Sequence, residues 1–280
     1  MYEVLRKQRI APGLNIMSVR APEMARKVRP GQFVILMVDE KGERIPLSVA
    51  DWDREEGSIT VVFQEVGTST RKLGLLEAGD GVFSFAGPMG KPSPIRNYGT
   101  VVVISGCYGT GPAYPIARAL KEAGCRVIHI VEGRNRDWLF WLDRLEAVAD
   151  RLILTCGDGS MEACYANDPL SRILEEERVD RIYAIGCTFM MMEAARATLD
   201  RGVPTRVSLT PIMVDGTGMC GACRVNVGGR VMFGCVDGPE FDGHQVDWKS
   251  LIERAGCYLK EEVESLDRWD RENWHRAMNR

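Results

Sequence analysis

Three cysteines, Cys220, Cys223 and Cys235, stand close together in a chain of 280 residues, on the glycine-rich run Val214-Asp215-Gly216-Thr217-Gly218-Met219-Cys220-Gly221-Ala222-Cys223-Arg224 and just after it. Thiolates are soft ligands, and iron-sulfur centres and zinc both select them. Glycines let several backbone N–H groups turn towards cluster sulfides at no steric cost. Two residues separate Cys220 from Cys223 and eleven separate Cys223 from Cys235, and no fourth cysteine follows at a comparable interval. A different donor must complete the site. Asp215 lies five positions before Cys220, where a C-x4-C-x2-C cluster run carries its first cysteine, and a carboxylate is a harder donor that still binds iron. Cys257 is the rival fourth ligand, in a helical-looking segment far down the chain. The competing readings are a zinc ribbon or a set of buried thiols acting as small hydrophobes. Zinc ribbons pair two C-x2-C knuckles or add histidines; the nearest histidine, His244, has no such partners, which suits a loop or interface residue.

The run Pro211-Ile212-Met213-Val214-Asp215-Gly216-Thr217-Gly218-Met219-Cys220-Gly221-Ala222-Cys223-Arg224-Val225 resembles the small flavin/2Fe-2S subunit of NADH-dependent reduced ferredoxin:NADP oxidoreductase. That family is also described as sulfide dehydrogenase and is related to the electron-transfer subunit of dihydroorotate dehydrogenase. In the first family an Asp is the fourth cluster ligand and in the second a Cys, so Asp215 favours the first. The resemblance covers essentially the whole chain and is strongest over residues 205–248. It implies the ligand set Asp215, Cys220, Cys223 and Cys235, the cofactors FAD, a 2Fe-2S cluster and NAD(H), and a larger FAD/4Fe-4S partner subunit. Electron bifurcation would belong to that assembly and not to this chain alone. A dihydroorotate dehydrogenase or a sulfide or polysulfide reductase is the alternative partner. From another class comes a zinc-stabilised regulatory subunit without NAD turnover.

Two earlier regions must position the remaining carriers. Residues 1–97 read as short strands such as Gln32-Phe33-Val34-Ile35-Leu36-Met37-Val38 and Ser58-Ile59-Thr60-Val61-Val62-Phe63, separated by Gly, Pro and Asp, which predicts a small β barrel. Arg44-Ile45-Pro46-Leu47-Ser48 resembles the Arg-x-Tyr-Ser flavin segment of ferredoxin reductases, with Arg44 one position early. The resemblance implies that Ser48 hydrogen-bonds near the flavin ring and that Pro46 and Leu47 support it. Gly67-Thr68-Ser69-Thr70 then opens a short helical pattern, and hydroxyls at a helix start with free first-turn N–H groups suit a flavin pyrophosphate.

A different pattern begins near Thr100. Val101-Val102-Val103-Ile104, a glycine-rich turn over residues 105–112, a helix over 114–123 and the strand Arg126-Val127-Ile128-His129-Ile130-Val131 predict a βαβ unit and a parallel sheet over 98–209. Gly106, Gly109, Thr110 and Gly111 occupy a turn similar to that of the ferredoxin-reductase nicotinamide domain. Gly186-Cys187-Thr188-Phe189-Met190-Met191 falls where that family has Gly-Pro-x-x-Met-Met, which implies Cys187 and Met190 beside the nicotinamide. Glu132, at the end of the second strand, can accept hydrogen bonds from an adenosine ribose, the logic that selects NAD. The fold expected is therefore β barrel plus α/β: a ferredoxin-reductase-like FAD barrel over 1–97 and an NAD domain over 98–209. A 2Fe-2S module over 210–248 and a helical tail over 249–280 complete it.

Composition sets the outer limits. A net charge of -3 argues against nucleic-acid partners or a polybasic membrane surface. No apolar run approaches the roughly 18 residues that a membrane helix needs, and the start carries no apolar signal core. Nine cysteines in such a chain point to the cytoplasm and to metals and redox chemistry in place of disulfides. The tail carries Trp269 and Trp274, which either cover the core or mark a docking face.

Overall fold

The computed structural model describes residues 1–273; Trp274 lies outside them. Seven strands form the first sheet: β1 (Tyr2–Ala11), β2 (Leu14–Arg20), β3 (Phe33–Met37), β4 (Arg44–Asp53), β5 (Ser58–Gln64), β6 (Gly81–Val82) and β7 (Ser84–Met89). Their order is β6-β1-β2-β5-β4-β3-β7, and every neighbouring pair is antiparallel. The two edge strands are joined by Phe83 alone, so the sheet curls back on itself into a near-closed barrel. Alternate side chains fill it, among them Val4, Met17, Leu36, Val61, Phe63 and Phe85, all buried. Helix α1 (Pro22–Lys27) plugs one side with Met24 and Ala25, and α2 (Thr68–Leu75) follows β5.

The second sheet is parallel: β8 (Thr100–Gly106), β9 (Arg126–Gly133), β10 (Arg151–Cys156), β11 (Arg181–Ile185) and β12 (Thr205–Ser208), in the order β10-β9-β8-β11-β12. Its strands are buried on both faces, so β8 and β9 read as continuous apolar runs. Helices α3 (Thr110–Glu122), α4 (Leu142–Glu146), α5 (Asn167–Glu176) and α6 (Thr188–Leu199) cover the faces. The helix expected over 114–123 starts earlier, at Thr110, because Pro112 falls in the first turn, where a missing N–H costs nothing.

After β12 the chain forms the hairpin β13 (Arg224–Val227) and β14 (Arg230–Phe233), then returns as β15 (Glu240–Asp242), antiparallel to β12 at the edge of the second sheet. Helices α7 (Trp248–Ala255) and α8 (Leu259–Glu272) end the described chain. Val225, Val227, Phe241, Val246 and Leu251 join the core of the parallel-sheet domain, while Met213, Cys223 and Cys235 pack with Phe33 and Ile35 of the barrel. The cysteine-bearing segment is thus a wedge held by both larger units.

Polar groups fix the same arrangement. The buried Glu240 carboxyl accepts a hydrogen bond from Ser93, in the connection between barrel and parallel sheet, and the Arg206 guanidinium donates to the Glu240 carbonyl at 2.9 Å. Burial pushes the Glu240 carboxyl above its usual range. On the opposite side, Asp51 of β4 accepts from Arg118 of α3 at 3.2 Å and also from Arg144 of α4.

Candidate redox site

The segment expected to hold the flavin ring lies on β4. Pro46, Leu47 and Ser48 pair with Ile35, Val34 and Phe33 of β3. β4 pairs with β5 only from Val49 onward, so one edge of residues 44–48 carries no neighbouring strand. Pro46 is tolerated there because its missing N–H faces that open edge. Gly67, extended at φ -148°, begins α2, and a Cβ added to it would meet nothing within 4 Å. The first-turn amides of an α-helix have no intrahelical partner. The Thr70 hydroxyl is occupied in capping: it accepts from the amides of Val66 at 3.0 Å and Gly67 at 3.1 Å and donates to the Gly67 carbonyl. Thr68 and Ser69 point elsewhere, Thr68 to Ser265 at 2.9 Å and Ser69 to Glu43 at 3.4 Å.

The four candidate ligands fall into two pairs. Asp215 accepts from the amides of Thr217 at 2.9 Å and Cys220 at 2.8 Å, and these bonds hold its carboxyl down at about 2, so it stays ionised. Cys223 and Cys235 lie buried with their sulfurs 3.2 Å apart. Burial and the neighbouring Cys223 push the Cys235 thiol up to about 12. Cys220 is exposed beside Met219, itself 90% exposed. Glycines at positive φ build the loop: Gly216, Gly218 and Gly221. A Cβ on Gly216 would collide with Met89 and Ile35 of the barrel. Among the described residues no three His, Cys, Asp or Glu converge as a single-ion site, and all nine cysteines are free. Cys257 is exposed and joins neither pair.

The second sheet has its topological switch point between β8 and β11, because the chain runs from β8 to β9 and β10 on one side and then crosses to β11 on the other. Ligands of such sheets bind beyond the carboxyl ends of the strands at that point. Gly106, Gly109, Thr110 and Gly111 end β8 and start α3; Gly186 and Cys187 end β11 and start α6. The backbones come close: a Cβ on Gly186 would lie 3.1 Å from the Gly106 nitrogen and 2.8 Å from Met190 Cε. Met190 is buried beneath this crossing, and Cys187 is exposed at its mouth, accepting from the Met190 amide at 3.4 Å. Cys107 takes φ +49°, in the left-handed region. Glu132 is half-buried, and its Oε2 accepts from the Ala166 amide at 2.8 Å ahead of α5.

Beneath the turn lies a polar chain that pattern reading passed over. His129 on β9, fully buried, bonds Ser105 at 3.0 Å, and Ser105 lies 3.3 Å from Thr110 in the first turn of α3. Burial lowers the His129 imidazole from 6.5 to about 3. Between those values the unfolded chain binds a proton that the folded chain refuses, so stability falls as pH drops below about 6.5. Each unit costs about 1.4 kcal/mol. His129→Gln removes this contribution: the stability lost between pH 7 and pH 5 in denaturant unfolding is expected to shrink by about 2 kcal/mol.

Residues 210–247 match the family described as the iron-sulfur cluster binding domain of dihydroorotate dehydrogenase B. The dihydroorotate dehydrogenase B (NAD(+)) electron transfer subunit homolog of Thermotoga maritima is 42% identical over 269 residues, covering 96% of this chain and 95% of that one. The chain belongs to the dihydroorotate dehydrogenase B electron transfer subunit family. A further relative, the probable electron transfer subunit of Methanopyrus kandleri, is 33% identical over 79% of this chain and 81% of its own. A structure solved for insight into flavin-based electron bifurcation by NADH-dependent reduced ferredoxin-NADP oxidoreductase superposes with a TM-score of 0.91. It is 41% identical and covers 96% of this chain and 98% of that one. As an electron transfer subunit, the chain is an oxidoreductase component with a ferredoxin-reductase-like fold, and its relatives work with partner subunits. Among the described residues no helix is long and apolar enough to cross a membrane.

Sequence reading missed the residues that join the three sites. Ile35 pairs with Pro46 and touches the cysteine loop at Gly216; Ala50, two positions after Ser48, lies 3.0 Å from where a Gly111 Cβ would stand. Both are ordinary apolar strand residues, and only the tertiary contact distinguishes them.

Proposed function

We propose that this chain carries electrons between NAD(H) and a larger redox partner by way of FAD and a 2Fe-2S cluster. The observation that carries the reading is the position of β4. Residues 44–48 pair on one edge with β3, whose Ile35 meets the cysteine loop, and are open on the other, while Ala50 meets the glycine-rich turn at Gly111. Residues 46–50 span only about 13 Å of strand, so all three candidate sites face one short stretch of backbone.

A bound FAD would supply hydride exchange with the nicotinamide and one-electron transfer to the iron-sulfur cluster. The protein's part is to hold these carriers in register. Pro46, Leu47 and Ser48 would take the flavin ring along the open edge, and the first-turn amides of Thr68, Ser69 and Thr70 would take its diphosphate beside Gly67, whose missing side chain leaves the approach open. Asp215 with Cys220 and Cys223 with Cys235 would hold the cluster. Two donor pairs suit a two-iron centre, whose irons each take two protein ligands, better than a zinc ion that requires four donors at one point. Gly106, Gly109, Thr110 and Gly111 would receive the NAD phosphates, with Cys187 and Met190 bordering the nicotinamide and Glu132 Oε1 accepting from the ribose. None of these side chains needs to act as an acid or base.

The larger partner is proposed to be an FAD/4Fe-4S subunit of a bifurcating NADH-dependent ferredoxin:NADP oxidoreductase; the structure that superposes at a TM-score of 0.91 is of an enzyme of that name. The names of the relatives favour a second reading, with a dihydroorotate dehydrogenase subunit as partner. Nine unpaired cysteines support a cytoplasmic location. The test is NADH-driven dye reduction by the purified chain, followed by copurification of its native partner. Turnover with FAD bound supports the reading; FAD bound without any turnover contradicts it. The partner's flavin and cluster content separates the two assemblies.

A further inference from the structure

Helix α8 reaches back from the cysteine-bearing end of the molecule to the barrel and lies along one face of α2. Thr68 and Ser265 bond through their hydroxyls at 2.9 Å, Arg71 pairs with Asp270, and the Lys72 ammonium, which also pairs with Asp39 at 3.0 Å, sits 5.5 Å from the centroid of the Trp269 ring. Thr68, Arg71 and Lys72 fall at i, i+3 and i+4, a single stripe of α2. Among the described residues, every side-chain hydrogen bond, ion pair or ring contact from α8 to another element goes to this stripe. No residue of α8 is buried, so no apolar core holds the helix there. An exposed ion pair and an exposed hydroxyl pair are individually weak.

The contact flanks the helix end without closing it. Gly67 still faces open space, and the first-turn amides have no intrahelical partner. What α8 brings alongside α2 is a hydroxyl at Thr68, an acid that fixes the direction of the Arg71 guanidinium and an indole ring beside Lys72. Cationic side chains, free amides and an adjacent aromatic ring form a recognition set for a nucleoside diphosphate: charge and N–H groups for the phosphates, an apolar ring for the base.

We propose that α8 is the outer wall of the flavin site and retains the ADP half of FAD, with Ser265, Trp269 and Asp270 as positioning residues that act through Thr68, Arg71 and Lys72. The inference rests on the proposed FAD site and deepens it. A consequence is that flavin retention depends on a segment more than 180 positions beyond the helix that receives the diphosphate, although both are surface elements.

The test compares FAD release from the full chain, from a chain ending at Gly256, and from the Ser265→Ala/Asp270→Ala double variant. Release is followed by the rise of flavin fluorescence on dilution. At least tenfold faster release is expected for the shortened chain and at least threefold for the double variant. Iron and sulfide contents, and the unfolding midpoint of the flavin-free double variant, should stay unchanged. A purely structural role for α8 would lower that midpoint and leave release alone, which would overturn the proposal. Release within twofold of the full chain in both variants would overturn it too. A full chain that takes up no FAD would instead refute the flavin site itself, so the two failures are distinguishable.

Discussion

Cys235→Ala is expected to abolish the iron-sulfur centre while leaving a folded flavoprotein. Cys235 is 2% exposed, its sulfur 3.2 Å from that of Cys223, and both belong to the small core where the cysteine loop meets Phe33 and Ile35. Loss of one sulfur from such a core costs stability on the order of 1 kcal/mol, too little to unfold the chain. The loss of a ligand is far larger in effect, since two irons held by four donors cannot keep their sulfides on three. Acid-labile sulfide should fall to near zero, and electron delivery to a one-electron acceptor that docks at the cysteine loop should drop by about 100-fold or more. Reduction of bound flavin by NADH should change by less than about threefold, because β4 and the glycine-rich turn are untouched. Retention of sulfide by the variant would remove Cys235 from the ligand set.

The second large effect is expected from Gly111→Val, which should slow hydride transfer without emptying either cofactor site. A Cβ at position 111 would lie 2.6 Å from Val62 Cγ2 and 3.0 Å from Ala50 Cβ, on two barrel strands. These contacts are too close, and their neighbours are packed on β4 and β5, so the start of α3 must move away from the barrel. Overpacking of this kind costs about 1–3 kcal/mol of stability. The kinetic cost is greater, since a shift of about 1 Å between reacting groups lowers a rate by about 100-fold. Flavin, iron and sulfide contents should equal those of the parent chain, while the rate of flavin reduction by NADH in stopped flow falls by that factor. An unchanged rate would show that the Ala50–Gly111 contact does not set the distance between the carriers.

Much of this architecture can be read from the chain because its signals are local. The β-branched and aromatic run in residues 58–64 marks a strand, the apolar run of β8 marks a parallel one, and the glycine-rich turn that follows marks a crossing of strand and helix. The spacing of Cys220 and Cys223 needs no tertiary information. What stayed hidden is set by contacts between distant segments. β15 is three residues long, bounded by the connection that carries Gly238 and Pro239, and becomes a strand only because β12 offers an unpaired edge. Thr68, Ser69 and Glu132 have the residue types a ligand needs, yet each already bonds a protein partner that sequence spacing cannot show: Ser265, Glu43 and the Ala166 amide. The chain from His129 through Ser105 to Thr110 was invisible for the same reason, since an isolated histidine in an apolar strand carries no pattern. Trp269 is half-covered, with the Lys72 ammonium of α2 over its ring, and Trp274 lies outside the described residues.

The claim that the three carriers form one path is tested most directly by adding NADH anaerobically to the purified full-length chain and recording the electron paramagnetic resonance spectrum, with flavin, iron and sulfide measured on the same sample. The expected result is about one FAD, two irons and two sulfides per chain, and a reduced 2Fe-2S signal that NADH alone elicits. A cluster that dithionite reduces and NADH does not, in a chain with its full flavin content, would contradict the path. Zinc without sulfide or flavin would leave the cysteine loop a structural knuckle.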